Sequence, residues 1–146
     1  MIPFRIPAVA FLVSAAMVLA LPDAADAEVP DGRDLYVVHC AACHGAELQG
    51  QPDWRSPDEN GLYPAPPHDE TGHTWHHDDA MLTDYITLGG QAVLDDMKVA
   101  FTSGMPGFGS VLTGSEIEAI LDYIKSTWPD RIRATQAQRS QDMAVD

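Results

Sequence analysis

Cys40-Ala41-Ala42-Cys43-His44 holds both cysteines of the chain and one of its six histidines. The spacing C-x-x-C-H is the attachment sequence for c-type haem. Two thiols three residues apart on one helical turn reach the two vinyl groups of a single porphyrin. The imidazole that follows is then placed to ligate the iron. The competing reading is a redox dithiol or a disulfide beside an unrelated histidine. A thioredoxin-like dithiol needs a βαβ setting, and the sequence shows none. One haem attached through Cys40 and Cys43, with His44 as an iron ligand, is therefore expected.

At 146 residues the chain has room for one domain. Ahead of the motif, Arg5 precedes an apolar run from Ala8 to Leu21 broken only by Ser14, and Ala25-Asp26-Ala27 supplies small residues for cleavage. This pattern reads as an export signal over residues 1–27, leaving a mature start at Glu28. The apolar run is shorter than the about 20 residues that cross a bilayer, so an uncleaved membrane anchor is the lesser alternative. Export and haem attachment agree, because an exported chain whose two cysteines both sit in C-x-x-C-H is more naturally haem-bound than disulfide-bonded. The expected location is the periplasm. A formal net charge of −14 argues against nucleic acid or an anionic membrane surface as partner. The same charge keeps a small exported protein soluble and is compatible with docking on a basic redox partner.

Helical periodicity predicts a first helix over 31–43, with Asp31 as cap, Leu35 and Val38 at helical spacing, and Tyr36 and Val37 adding bulk for a partner helix. From Ala46 to about His77 the prolines and glycines predict a long loop, of a length that usually wraps something or carries function. Asp78–Leu88 reads as a second helix stopped by Gly89-Gly90, and Gln91–Phe101 as a short one with Val93, Leu94, Met97 and Phe101 inward. Thr113 to Trp128 is the clearest helix, with Thr113 and Glu116 at capping-box spacing and a stripe of Ile117, Ile120, Leu121, Ile124 and Trp128. Pro129 ends it. The domain is expected over 28–129, followed by a frayed polar tail over 130–146, with no convincing strand.

A haem iron held by one histidine needs a sixth ligand or an open site. Met105, directly before Pro106 in the Gly-rich stretch Gly104–Gly109, is the candidate. A thioether on a proline-stiffened loop can sit against iron without bending a helix, and its softness favours ferrous iron. Met81 and Met97 fall on apolar helical patterns and read as core, and Met143 lies in the tail.

Helix, Cys40–His44, long loop, helix, Met105-Pro106 and a capped last helix together resemble a small monohaem class I cytochrome c, over roughly residues 30–129. Gly32-Arg33-Asp34-Leu35-Tyr36 is similar to that family's N-terminal helix, and Ser115–Trp128 to its last. The resemblance implies an all-α fold with N- and C-terminal helices crossing beside the haem and an aromatic near Tyr123 packing on the first helix. It also implies that the chain is no enzyme. Members carry single electrons between larger redox proteins, here periplasmic or membrane-bound ones. A monomer with no small-molecule substrate is expected.

One departure from that family is the segment Pro64–Asp79, which carries His68, His73, His76 and His77. Imidazoles and carboxylates suit copper, zinc or nickel, although no strong zinc spacing occurs. Three readings stand: a haem-edge loop in which histidines or Trp75 bond the porphyrin propionates, a second metal site, or an alternative iron ligand. Trp54 with Arg55 is a further propionate candidate, against simple loop packing. A copper-handling or haem-sensing protein is accordingly the alternative function, although no distal acid/base pair stands out.

Overall fold

The apolar stripe of the last helix and the apolar face of the first find each other. In the computed structural model, which describes residues 29–143, α1 (Gly32–His39) packs across α5 (Gly114–Ser126). Asp31 caps α1 by accepting from Arg33 N at 2.8 Å. Leu35 and Tyr36 turn inward, whereas Val37 and Val38 stay exposed. At the crossing Gly32 lies so close to the Ala119 carbonyl that any Cβ there would collide with backbone. Tyr36 meets Tyr123 with ring centroids 5.5 Å apart, the aromatic contact expected from the family resemblance. Ile117, Ile120, Leu121, Ile124 and Trp128 are all buried, so the predicted stripe is the centre of the core.

α5 starts at a complete capping box: Thr113 N–H donates to Glu116 Oε2 at 2.8 Å and Glu116 N–H donates back to Thr113 Oγ1 at 3.3 Å. α3 (Asp79–Leu88) is capped by Asp78, which accepts from Met81 N at 3.0 Å, and α4 (Gly90–Asp96) follows almost at once. α4 is shorter than predicted. Only Val93 and Leu94 of its expected face are buried, while Met97 and Phe101 lie beyond its end and are exposed, so Met97 is not a core residue. The predicted first helix is interrupted at Cys40 (φ −117°), giving α1 and a one-turn α2 (Ala41–His44). Apolar periodicity holds α1 only to Tyr36. Beyond it a new turn starts on bonds back to the Cys40 carbonyl.

Two features were not predicted. Leu62–Tyr63 (β1) pairs in parallel with Thr102–Ser103 (β2), the Tyr63 ring stacking on Phe101 at 4.1 Å. Two-residue strands leave no alternation to read. The expected frayed tail is instead a helix, α6 (Asp130–Met143), starting behind Pro129. Its polarity hides the two anchors, Ile132 and Gln136, which are buried. Gln136 Nε2 reaches His77 O at 3.3 Å, Asp79 Oδ1 at 2.7 Å and Ser140 Oγ at 3.0 Å. The all-α expectation holds: the described residues form six helices with one minimal strand pair. None of these helices is long and apolar enough to cross a membrane. The export signal predicted over 1–27 lies outside the described residues.

Candidate haem-attachment site

α2 exists because the Cys40 carbonyl accepts from both Cys43 N at 3.1 Å and His44 N at 2.9 Å. This single turn leaves Cys40 half-buried against the core, Cys43 exposed and His44 buried. No disulfide joins the two cysteines, so both sulfurs are available to one attachment site.

The orientation of His44 follows from one bond. Its Nδ1 lies 2.8 Å from the Pro66 carbonyl oxygen. A carbonyl only accepts, so Nδ1 carries the hydrogen. Burial lowers the His44 pKa, partly offset by the Pro66 bond, and the ring is neutral. A neutral imidazole protonated at Nδ1 presents the lone pair of Nε2, the arrangement in which a protein holds a metal-ligating histidine from behind.

Pro66 is itself held in place. The long segment doubles back so that Gln51 N donates to Ala65 O at 2.9 Å and His68 N to Leu48 O at 2.8 Å, with Leu48 buried beneath. Trp128 Nε1, at the end of the α5 stripe, donates to His68 O at 2.7 Å. The turn that follows α5 thus ties down the loop that orients His44.

Met105 lies in a loop pinned to the end of α3. Gly90 N donates to Met105 O at 3.0 Å, Phe108 N to Ile86 O at 2.8 Å, and Gly109 N to Thr87 O at 3.0 Å. The approach is tight enough to require glycine at 89: its φ is +92°, and a Cβ there would stand 2.8 Å from Gly107 N. Cys40, Trp75, Met105 and Phe108 are partly buried against one apolar cluster. Phe108 also meets His39, next to Cys40, edge-on at 6.2 Å. The Met105 loop and the cysteine turn therefore border a common apolar region. Met81 is partly buried, and Met97 and Met143 are exposed.

The histidines of the loop disperse. His68 stacks on His44 at 3.9 Å, His73 on Trp54 at 5.4 Å, and His76 on Trp75 at 3.7 Å. His77 meets His73 edge-on at 5.5 Å and faces Tyr85 at 6.5 Å. Among the described residues no three His, Cys, Asp or Glu side chains are arranged to hold a metal ion, so the second-metal reading gains no support. Arg55 lies over the Trp54 ring at 4.1 Å and reaches Thr71 O at 3.5 Å, which is local loop packing.

The donor set fits a haem on three separate grounds. Two thiols and a bare imidazole nitrogen occupy one turn. A thioether is partly buried at the same apolar cluster. And Trp75 Nε1 is a buried donor with no partner in the protein. Such a group is destabilising by about 1–3 kcal/mol unless an acceptor meets it, and a propionate carboxylate is an acceptor of the right kind. The His68–His44 stack escaped the sequence reading, since pairing across an irregular loop leaves no periodic trace.

Neither a curated protein nor a solved structure matches the chain. The family model for cytochrome c matches residues 29–128, from just ahead of α1 to the end of the α5 stripe, and leaves α6 outside. The chain belongs to the cytochrome c family, an electron-transfer family whose prosthetic group is a covalently bound c-type haem.

Proposed function

We propose that this haem-binding electron carrier works in the periplasm, passing single electrons between larger redox proteins with its iron held between His44 and Met105. The observation that carries the ligand assignment is the Nδ1 bond of His44 to Pro66 O at 2.8 Å, which leaves Nε2 as the ligating atom. Cys40 and Cys43 would form the two thioethers from the same turn. When bound, the haem supplies a centre that gains and loses one electron.

The protein's part is to keep its own atoms still while the charge changes. His44 is fixed through Pro66, Met105 through the backbone bonds of its loop to α3 and α4, and Trp75 through its stack on His76. With His44 and Met105 both holding the iron, no position would be left open for a substrate. Trp75 Nε1 would donate to a propionate and so hold a buried carboxylate charge.

Ligation is tested in the ferric protein by the weak near-infrared charge-transfer band that reports a methionine ligand. The band is expected in the wild type, absent in Met105→Ala and retained in Met97→Ala, whose side chain is exposed. The reverse pattern would refute the assignment, as would a ferrous spectrum that changes with carbon monoxide. For location, N-terminal sequencing of periplasmic material is expected to begin at Glu28. An intact N-terminus confined to the membrane fraction would overturn export as a free carrier.

A further inference from the structure

His68 presents a second imidazole to the ligand. Its ring lies face to face on that of His44, with centroids 3.9 Å apart and planes 23° apart. The attachment motif requires nothing at this position. Yet four residues hold His68. Its backbone N–H donates to Leu48 O at 2.8 Å and its carbonyl accepts from Trp128 Nε1 at 2.7 Å. The edge of Tyr36 in α1 closes one side at 6.1 Å, the tyrosine hydroxyl itself donating to Gly45 O at 3.0 Å. Its Nδ1 lies 2.9 Å from Oγ1 of Thr74, a buried residue.

The 2.9 Å contact fixes the His68 ring whichever of its two atoms donates. The two stacked rings are thus each held at Nδ1 by one short hydrogen bond: His44 by the carbonyl of Pro66, and His68 by the hydroxyl of Thr74. A single hydrogen bond to a carbonyl has a broad angular preference and leaves a ring some freedom to swing about it. A flat, immobilised ring against one face of His44 removes that freedom. An aliphatic side chain would fill the volume but present no plane.

We propose that His68 is a positioning residue that sets the angle of the ligating imidazole plane by stacking on His44, with Thr74 locking the stack. This rests on His44 being the iron ligand. Partners behind a metal-bound histidine orient it and tune the metal. Here that work is divided between a hydrogen bond at one edge and a ring on one face.

The test is paramagnetic proton NMR of the ferric holoprotein, in which the order and spread of the four haem-methyl resonances report the angle of the axial imidazole plane. His68→Leu is expected to change that order and to shift the reduction potential. His68→Phe, which restores a flat face, is expected to keep the wild-type order. Thr74→Val, which removes only the lock, should alter the spread in the direction of His68→Leu by a smaller amount. A wild-type methyl pattern in His68→Leu overturns the proposal. Should that variant fail to mature, an unchanged pattern in Thr74→Val overturns it equally. Loss of the order in His68→Phe to the same extent as in His68→Leu would refute stacking as the cause. Failure of the underlying ligand assignment looks different: the wild-type protein itself would then be high-spin, or His44→Ala would leave its low-spin spectrum unchanged.

Discussion

The α1–α5 crossing and the segment from His44 to Asp79 are held by opposite kinds of force. At the crossing, Tyr36 and Ile120 are fully buried and Ile117, Leu121 and Ile124 nearly so, with glycine at the closest approach. Stabilisation there is apolar burial, which is non-directional and tolerant of small shifts. The segment has little apolar content and almost no regular structure. It is held because side chains of α2, of the turn after α5 and of α6 reach its carbonyls: His44 Nδ1 donates to Pro66 O, Trp128 Nε1 to His68 O, and Gln136 Nε2 to His77 O. Directed bonds of this kind fix positions rather than volumes. The fold therefore uses burial to hold itself together and hydrogen bonds to aim the His44 ring.

The largest expected effect tests the burial side. Ile120→Ala deletes a wholly buried side chain between α1 and α5 and should destabilise the whole domain by about 2–5 kcal/mol. Chemical denaturation with absorbance and circular dichroism as parallel probes measures it, and both probes should move together. Gln136→Ala tests the other side. It strips donors from the part-buried His77 O and Asp79 carboxylate, at a cost of about 0.5–1.5 kcal/mol. Hydrogen exchange is the measurement. Amides of residues 74–79 and of α6 should exchange faster while those of α5 keep their protection. Equal loss in α5 would break the distinction between the two regions.

A third change sharpens the first region from its edge. Thr113→Ala removes the hydroxyl half of the capping box and should lower stability by about 1 kcal/mol with an unchanged denaturant slope. A loss as large as that of Ile120→Ala would mean that α5 depends on its cap rather than on its stripe.

The same division explains what could be read in the residues beforehand. Burial writes itself as period: Ile117, Ile120, Leu121, Ile124 and Trp128 announced α5 and its buried face, and Asp31, Asp78 and Thr113 marked three helix starts. The attachment turn was legible because its chemistry demands a fixed spacing. Directed long-range bonds leave no period. Nothing near His68 indicates that its ring rests on His44, 24 positions earlier in the numbering. Nor does the polar run of 130–143 reveal a helix anchored by one isoleucine and one glutamine. Met97 shows the converse failure: it continues the spacing of Val93 and Leu94, but α4 ends at Asp96 and the thioether points to solvent.

The smallest expected effect is a pH dependence confined to the hydrogen-bonded segment. His73 and His77 are both held below the ordinary imidazole value of 6.5, each first by burial and then by neighbouring positive charge. For His73 that charge comes from His76 and Arg55. For His77 it comes from His73, His76 and Arg139, with Asp78 opposing. A base with a lowered folded pKa binds fewer protons folded than unfolded between its two pKa values, so stability rises with pH across that interval. Their neutral packing against Trp54 and Tyr85 is therefore fully present above about 6.5 and is lost progressively as the pH falls towards the folded pKa values. Hydrogen exchange corrected for intrinsic pH dependence should show protection in residues 66–79 weakening over that interval, with α1 and α5 unaffected. Replacing both histidines by phenylalanine keeps aromatic rings against the same neighbours and removes their titration, so the weakening around residues 73–77 should vanish. If it persists in that double variant, the acid sensitivity of the segment comes from the buried imidazoles of His68 and His44 or from its backbone bonds, and not from these two rings.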